Sequence, residues 1–513
     1  MSYLTLLEVG WKLVSTGFSL VVLYILSTTI YNLTLHPLSH FPGPLLWRST
    51  RIPYMRSMWS GASHTNHHRL HQRYGPVVRI APNELSFADT AAWHDIFANR
   101  GGREALPKSA VWHGAQSGHA DSLLNCLSRD GHAHMRRKME PGFTERAVAG
   151  QEAILQGYAG LLVNRLREVL MAGKGDGERK EAVVDVAKWL TFVSLDIIGD
   201  LAFGEGFQCL QRSEMNEWME LLFSGVKAQV LIATLRYYMW AAWALEHMLP
   251  RSLKEGAERH WKIVAEKVDK RLQQATPRPD FIELWQKDGK GRDGLTRGEI
   301  DSNAFVMSFA GTETVATTLT GVMHQLVRSR REFALLKEEV RTRFEKEDEM
   351  SLQELKGLPY LNAVIWEGFR TRYALPNGTT RITPPEGSII CGKRIPGNTY
   401  VSLCAQALFL DPTRFHDPDH FHPERWLPEA IKDPGSPFYD DDRNAVQPFS
   451  VGPRSCIGRP LALAEARLIL ARLIWAFDVE AADTKAGALV WEEQPLFGLI
   501  DKQSFEVNLV ARE

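Results

Sequence analysis

The sequence predicts a mainly α body with small β-sheets (an α+β fold), preceded by one N-terminal transmembrane helix. Three observations carry that expectation: residues 13–35 hold no charge, apolar residues recur at helical spacing from about 130 to 375, and short β-prone runs lie among prolines and glycines on either side.

The anchor comes first. Residues 13–35 include Gly17-Phe18-Ser19-Leu20-Val21-Val22-Leu23-Tyr24-Ile25-Leu26, and a bilayer is crossed by roughly 20 helical residues. A cleaved secretory signal would share the N-terminal position and the preceding Lys12, but it would be shorter and end in a small-x-small site. Arg48, Arg51 and Arg56 follow the span, and Glu8 offsets Lys12 before it. That asymmetry predicts a lumenal segment 1–12 and a body in the cytosol.

His36-Pro37 and Phe41-Pro42-Gly43-Pro44 resist helix continuation, so 36–60 reads as a stiff proline-rich hinge, with the main body over 61–513. Within the body, 66–74 has helical character. Val77-Val78-Arg79-Ile80, the turn Pro82-Asn83 and Leu85-Ser86-Phe87 then form a β-hairpin. The stretch 189–203 is helix-periodic, and loops are expected at 172–179 and 286–294. Thr296 and Glu299 have capping-box spacing ahead of a long apolar helix over 300–327. Ser351 and Glu354 repeat the spacing, and Pro359 suits a first helical turn before 361–371. Beyond 375, Ser388-Ile389-Ile390 and Tyr400-Val401-Ser402-Leu403 are β-prone. The mixed charge run 337–349 reads as a solvated helix face.

Lys plus Arg total 60 against 61 acidic residues, so no overall field of one sign exists to hold nucleic acid. Five cysteines, at 126, 209, 391, 404 and 456, are too few and too scattered for a disulfide scaffold, and a reducing compartment follows. His64, His67, His68 and His71 offer two pairs at i,i+4 spacing, a geometry zinc sites use. No Glu follows a His in the His-Glu-x-x-His manner, and a solvated helix is the favoured reading.

The chemistry concentrates in Phe449-Ser450-Val451-Gly452-Pro453-Arg454-Ser455-Cys456-Ile457-Gly458, just before an apolar helix over 461–475. Glycines let backbone approach a flat ligand, and free amides at a helix start favour thiolate. The segment resembles the haem-binding loop of the cytochrome P450 superfamily, Phe-x-x-Gly-x-Arg-x-Cys-x-Gly, at every signature position. That resemblance implies the cytochrome P450 fold, with haem b bound to iron through Cys456 and with Phe449, Arg454 and Gly458 against the cofactor.

Further matches extend the resemblance over most of the chain. Glu367-Gly368-Phe369-Arg370 is similar to the family's Glu-x-x-Arg, and Phe421-His422-Pro423-Glu424-Arg425-Trp426 to its Pro-Glu-Arg-Phe stretch. The implied Glu367–Arg370–Arg425 network is structural. Ala310-Gly311-Thr312-Glu313-Thr314 resembles the oxygen-activation motif, with Glu where many members carry Asp. Gly311 would allow close approach or a kink above the haem, while Glu313 and Thr314 manage protons. By the same resemblance His132 and Arg136, four residues apart, and Arg381 contact the haem carboxylates.

The implied activity is a monooxygenase using O2 and electrons from an NADPH–cytochrome P450 reductase, which would dock on a basic proximal surface with Arg459 and Arg467 as candidates. Asn32-Leu33-Thr34-Leu35-His36-Pro37-Leu38 and the stretch 74–87 look like filamentous-fungal microsomal members, which implies the endoplasmic reticulum membrane and secondary-metabolite biosynthesis. Substrate-facing segments by analogy are 106–127, 207–233, 303–309 and 375–380, mostly apolar and suited to a lipophilic small molecule. Two alternatives stay open: a reductase-independent haem-thiolate isomerase that rearranges peroxides, and a non-enzymatic haem sensor.

Overall fold

The computed structural model describes residues 3–99, 101–114, 118–173, 180–215, 217–238, 241, 243, 244, 247, 251–274, 278–286 and 294–512. The loops expected at 172–179 and 286–294 fall largely outside them. The N-terminal helix Tyr3–Ile30 continues through a π-helical turn, Tyr31–Leu35. From Gly10 to Leu35 it is long and apolar enough to cross a membrane, and its side chains stand away from the body. Thr28 and Thr34 hydroxyls donate back to Tyr24 O and Ile30 O, at 2.8 and 2.6 Å, so they present no unsatisfied donor to lipid.

The segment 36–60, expected to be a stiff hinge, packs against the body. Leu38 and Phe41 enter the core, helix Ile52–Trp59 buries Tyr54, Met55 and Met58, and the Arg79 guanidinium holds Asn32 O at 2.7 Å. The prolines do stop the membrane helix, but the apolar side chains between them find partners on the body.

The main sheet has four strands in the order Val77–Ala81, Glu84–Phe87, Tyr400–Leu403, Arg381–Ile382. The first pair is the expected hairpin, with Val77 opposite Phe87. The third strand runs parallel to the second and antiparallel to the fourth, pairing Arg381 with Val401. This register carries Arg381 into the interior. A three-stranded sheet, Glu181–Asp185, Glu506–Ala511 and Phe477–Ala481, closes the far end.

The long helix Arg297–Leu326 runs through the core beside Val186–Phe203, a helix apolar enough to be buried on nearly every side. Its start is the expected capping box: Thr296 N donates to Glu299 Oε2 at 2.8 Å, and Glu299 N to Thr296 Oγ1 at 3.3 Å. Gly311 lets these two helices touch, because a Cβ there would lie 2.7 Å from the Ile198 side chain. Its close approach is therefore to a neighbouring helix.

Two polar stretches are more buried than their sequence suggested. On helix Ser63–Tyr74, His64, His67 and His71 turn inward against the first strand and helix Ala405–Phe409, so only part of that helix is solvated. Among the described residues these histidines form no three-ligand group. In the charge run, Glu339 accepts the Tyr360 and Leu361 amides at 2.8 and 2.7 Å and so caps helix Pro359–Thr371.

Candidate active site

The cysteine loop closes on itself and is braced from outside. Cys456 N donates to Phe449 O at 2.8 Å and Ser455 N to Gly452 O at 3.0 Å. Gly452 has φ +79° and presses on Phe97, whose carbonyl oxygen would lie 2.1 Å from any Cβ there, so the position requires glycine. The Arg136 guanidinium donates to Ser455 O at 2.6 Å and to Pro453 O at 3.3 Å. Arg454 reaches Cys126 O at 2.7 Å and Leu127 O at 3.1 Å. The Phe449 ring packs edge-on against Phe369, 5.2 Å between centroids. Helix Arg459–Ala476 begins immediately after Gly458.

All five cysteines are free. Cys126, Cys209 and Cys404 are buried, whereas Cys456 is accessible although protein surrounds it, as a residue lining an internal hollow would be. Burial pushes its thiol pKa up, opposed by the Gly458 amide, the charge of Arg136 and the Arg459 amide.

Basic side chains gather beside the loop. His132, on helix Arg129–Met139, is buried, and its pKa is lowered to about 3 by burial and then by Arg454, Lys108, Arg136 and Arg381. Arg381 is buried with Nε and Nη1 unpaired, and burial followed by Arg454 lowers it to about 10. Lys108 and His113 join the cluster. Burial, Arg381 and Arg454 bring Lys108 to about 7, and burial, Lys108 and Arg381 bring His113 to about 2. Among the described residues Lys108, His113, His132, Arg381 and Arg454 form no salt bridge with a carboxylate, whereas Arg136 reaches Glu140 at 3.8 Å. Buried positive charge without a counter-ion is costly. A flat cofactor carrying its own carboxylates, with an accessible thiol to bind its metal, fits the donor set.

Sequence reasoning placed His132, Arg136, Arg381 and Arg454 in this neighbourhood but missed Lys108 and His113, which lie in a segment assigned to substrate. The Arg136 guanidinium goes to carbonyls of the cysteine loop, as that of Arg454 goes to the carbonyls of Cys126 and Leu127. Asn303, expected to face substrate, is buried and accepts the Leu123 amide at 2.8 Å.

On the long helix, Thr314 Oγ1 donates to Ala310 O at 2.8 Å. The Glu313 carboxylate is buried in an ion pair with Lys502, from the C-terminal strand-loop region. Both line a pocket of about 230 Å³ with Phe309, Lys188 and Asp501, and Cys456 is not part of that lining. Adjacent helical side chains diverge by about 100°. Glu313 and Thr314 therefore point in different directions.

The Glu367 network is fully buried and fully bonded. Arg370 donates to Glu367 through Nε at 3.0 Å and Nη2 at 2.7 Å, Arg425 Nε reaches Glu367 Oε1 at 3.1 Å, and Trp426 Nε1 reaches Oε2 at 2.9 Å. Asp441, which the sequence did not single out, neutralises Arg425 from the other side. Burial opposes ionisation of Glu367, but Arg370, Arg425 and the His422 amide outweigh it and hold the carboxyl below its ordinary range.

A cysteine loop of this build, beside a cation cluster that lacks a counter-ion, is the arrangement of a haem-thiolate protein. The chain belongs to the cytochrome P450 family, whose family model matches residues 41–503. It is similar to cytochrome P450 monooxygenase atr2 of Stereocaulon alpinum, 37% identical over 92% of this chain and 92% of that protein. It also resembles cytochrome P450 monooxygenase astA of Talaromyces wortmannii, 36% identical over 96% of each chain. Averantin hydroxylase of Dothistroma septosporum is 37% identical over 97% of this chain and 91% of that protein.

Proposed function

We propose that this P450 monooxygenase hydroxylates or epoxidises a lipophilic small molecule in fungal secondary-metabolite biosynthesis, with electrons from an NADPH–cytochrome P450 reductase. The observation that carries it is the accessible thiol of Cys456, set in an arginine-braced loop and aligned with the family signature. Fungal relatives named as monooxygenases and as a hydroxylase support the reaction class. Haem b bound through Cys456 supplies dioxygen activation, with the thiolate favouring O–O cleavage.

The chain's own residues divide the remaining work. Cys456 would ligate the metal, and Phe449 and Gly458 would lie against the cofactor. His132, Arg381 and Arg454 meet its carboxylates, while Arg136 braces the loop. Thr314 would hold a proton near the reacting oxygen, and Glu313, ion-paired with Lys502, lines the neighbouring pocket. Arg459, exposed beside the cysteine loop, is the better placed reductase contact. Arg467 is partly buried and donates to Asn362 Oδ1 at 2.7 Å. The apolar span 13–35 anchors the chain in the endoplasmic reticulum membrane as a single pass, with residues 1–12 lumenal and the body facing the cytosol.

The test incubates membranes carrying the full chain and a reductase with NADPH, isotopically labelled dioxygen and candidate lipophilic intermediates. Mass spectrometry should find a product gaining one labelled oxygen only when NADPH is present. Conversion without NADPH or dioxygen would instead identify the isomerase reading.

A further inference from the structure

We propose that the groove between the segment 40–42 and the hairpin 388–395 binds the headgroup of an anionic phospholipid, with Lys393 and Arg394 meeting its phosphate. The proposal rests on the reading of 13–35 as a membrane anchor and adds to it a lipid site on the body.

Backbone geometry sets this groove at the foot of the anchor. Asn32, in the last turn of the span, donates through Nδ2 to Ser49 O at 2.9 Å, and its own carbonyl accepts Arg79 Nη1 at 2.7 Å. Arg79 N donates to Pro42 O at 2.8 Å, so the segment 40–42 lies along the first strand. Val77 lines the groove two residues along that strand, roughly 7 Å from Arg79. The headgroup layer adds about 5–7 Å to each face of the hydrocarbon core. A groove this close to the end of the span therefore lies level with lipid phosphates.

Its size and lining suit a headgroup with the start of an acyl chain. The groove holds about 850 Å³, and Phe41, Tyr74 and Val77 give it apolar surface. His40, Lys393, Arg394 and Glu386 supply its polar groups. On the hairpin, Ile389 stands opposite Arg394 and is 44% exposed, an apolar side chain beside a cation as a membrane boundary favours.

The charge is uncompensated. Lys393 and Arg394 are exposed and, among the described residues, pair with no carboxylate; Glu386 is the one acid lining the groove. Behind the segment 40–42 stand two further guanidinium groups satisfied only by carbonyls: Arg48 Nη2 reaches Ser39 O at 2.5 Å, and Arg79 Nη2 reaches Pro82 O at 2.7 Å. Arg48 Nε is buried without a partner, and burial followed by the charge of Arg48 lowers Arg79 to about 10. A free phosphate would answer the charge alone. The apolar lining and the level of the groove favour a phosphate that carries acyl chains.

The test titrates full-length holoprotein in detergent micelles with phosphatidylinositol or phosphatidylcholine and counts bound lipid by native mass spectrometry. Wild type should bind its first phosphatidylinositol more tightly than phosphatidylcholine. Lys393→Gln and Arg394→Gln should each weaken phosphatidylinositol about fivefold, and Glu386→Gln should strengthen it by a similar factor, a gain that misfolding cannot produce. Inositol phosphate at the same concentration should leave the bound lipid in place. Equal affinity of wild type for the two lipids, unaltered affinity in all three variants, or displacement of the lipid by inositol phosphate would overturn the proposal. Extraction of membranes with alkaline carbonate separates it from the reading beneath it. A chain that stays in the membrane yet shows no preference between the lipids defeats the groove alone, and a chain released by carbonate defeats the anchor.

Discussion

Two groups of buried cations lie in this molecule and are treated in opposite ways. Arg370 and Arg425 are neutralised from within, by Glu367 and Asp441, and their donors are taken up by carboxylates and backbone carbonyls. Arg381 and Lys108 are crowded beside His113 and His132, which burial and these charges hold neutral, with no carboxylate among them, and Arg381 and His113 keep unpaired nitrogens. Both groups are expensive to bury. The first is closed and holds the fold. The second is open, and Arg381 within it is proposed to meet the haem carboxylates.

The largest expected effect breaks the closed group. Arg370→Ala leaves Arg425 as the one cation bonded to Glu367 and strips donors from the carbonyls of Phe409, Pro418 and His420. A cost of about 3–5 kcal/mol is expected for removing one member of such a network. Holoprotein should fail to accumulate, and a normal haem spectrum from this variant would contradict the assignment. Asp441→Asn is milder, because Arg425 keeps Glu367 and the His416 carbonyl. A loss of about 1.5–3 kcal/mol, the usual value of a hydrogen bond to a charged group, should appear as a lower urea midpoint.

Removing charge from the open group should act with the other sign on stability. Arg381→Met relieves the repulsion on Lys108 and His113, so protein without haem should be no less stable in urea, while haem release accelerates by about tenfold. A destabilised haem-free protein with normal haem retention would place Arg381 in the structural class instead.

The smallest effect concerns a third solution to the same problem, in which a buried base gives up its proton. Burial lowers His64 and His71 to about 4 and His67 to about 3. Each folded value lies below the unfolded 6.5, so the unfolded chain binds protons first. The contribution of these histidines is full above pH 6.5 and is lost as pH falls toward 4. His64→Gln should flatten the acid side of a stability–pH curve, measured by urea melts, and an unchanged slope would count against neutral burial.

The contrast also explains what the sequence disclosed. Glu367, Arg370, Arg425 and the cysteine loop were legible because their spacing within short segments is itself the constraint: a helix turn places Glu367 under Arg370, and a closed loop places Cys456 over Phe449. Asp441, Lys108, His113 and Lys502 were not legible, since each meets its neighbours only through tertiary packing and sits in a segment with no periodic or motif signal. The histidine face of Ser63–Tyr74 misled because a polar helix was read as solvated, when its burial depends on the strand and helix that cover it. Glu313 was found by its motif, but its direction was not, because Lys502 arrives from the other end of the chain.

The central claim, that Cys456 is the iron ligand, is tested most directly by the dithionite-reduced carbon-monoxide difference spectrum of the full chain beside Cys456→Ala. Wild type should give the Soret band of thiolate-ligated haem, and the variant should lose it. A wild type without that band, or a Cys456→Ala spectrum identical to it, would contradict the account.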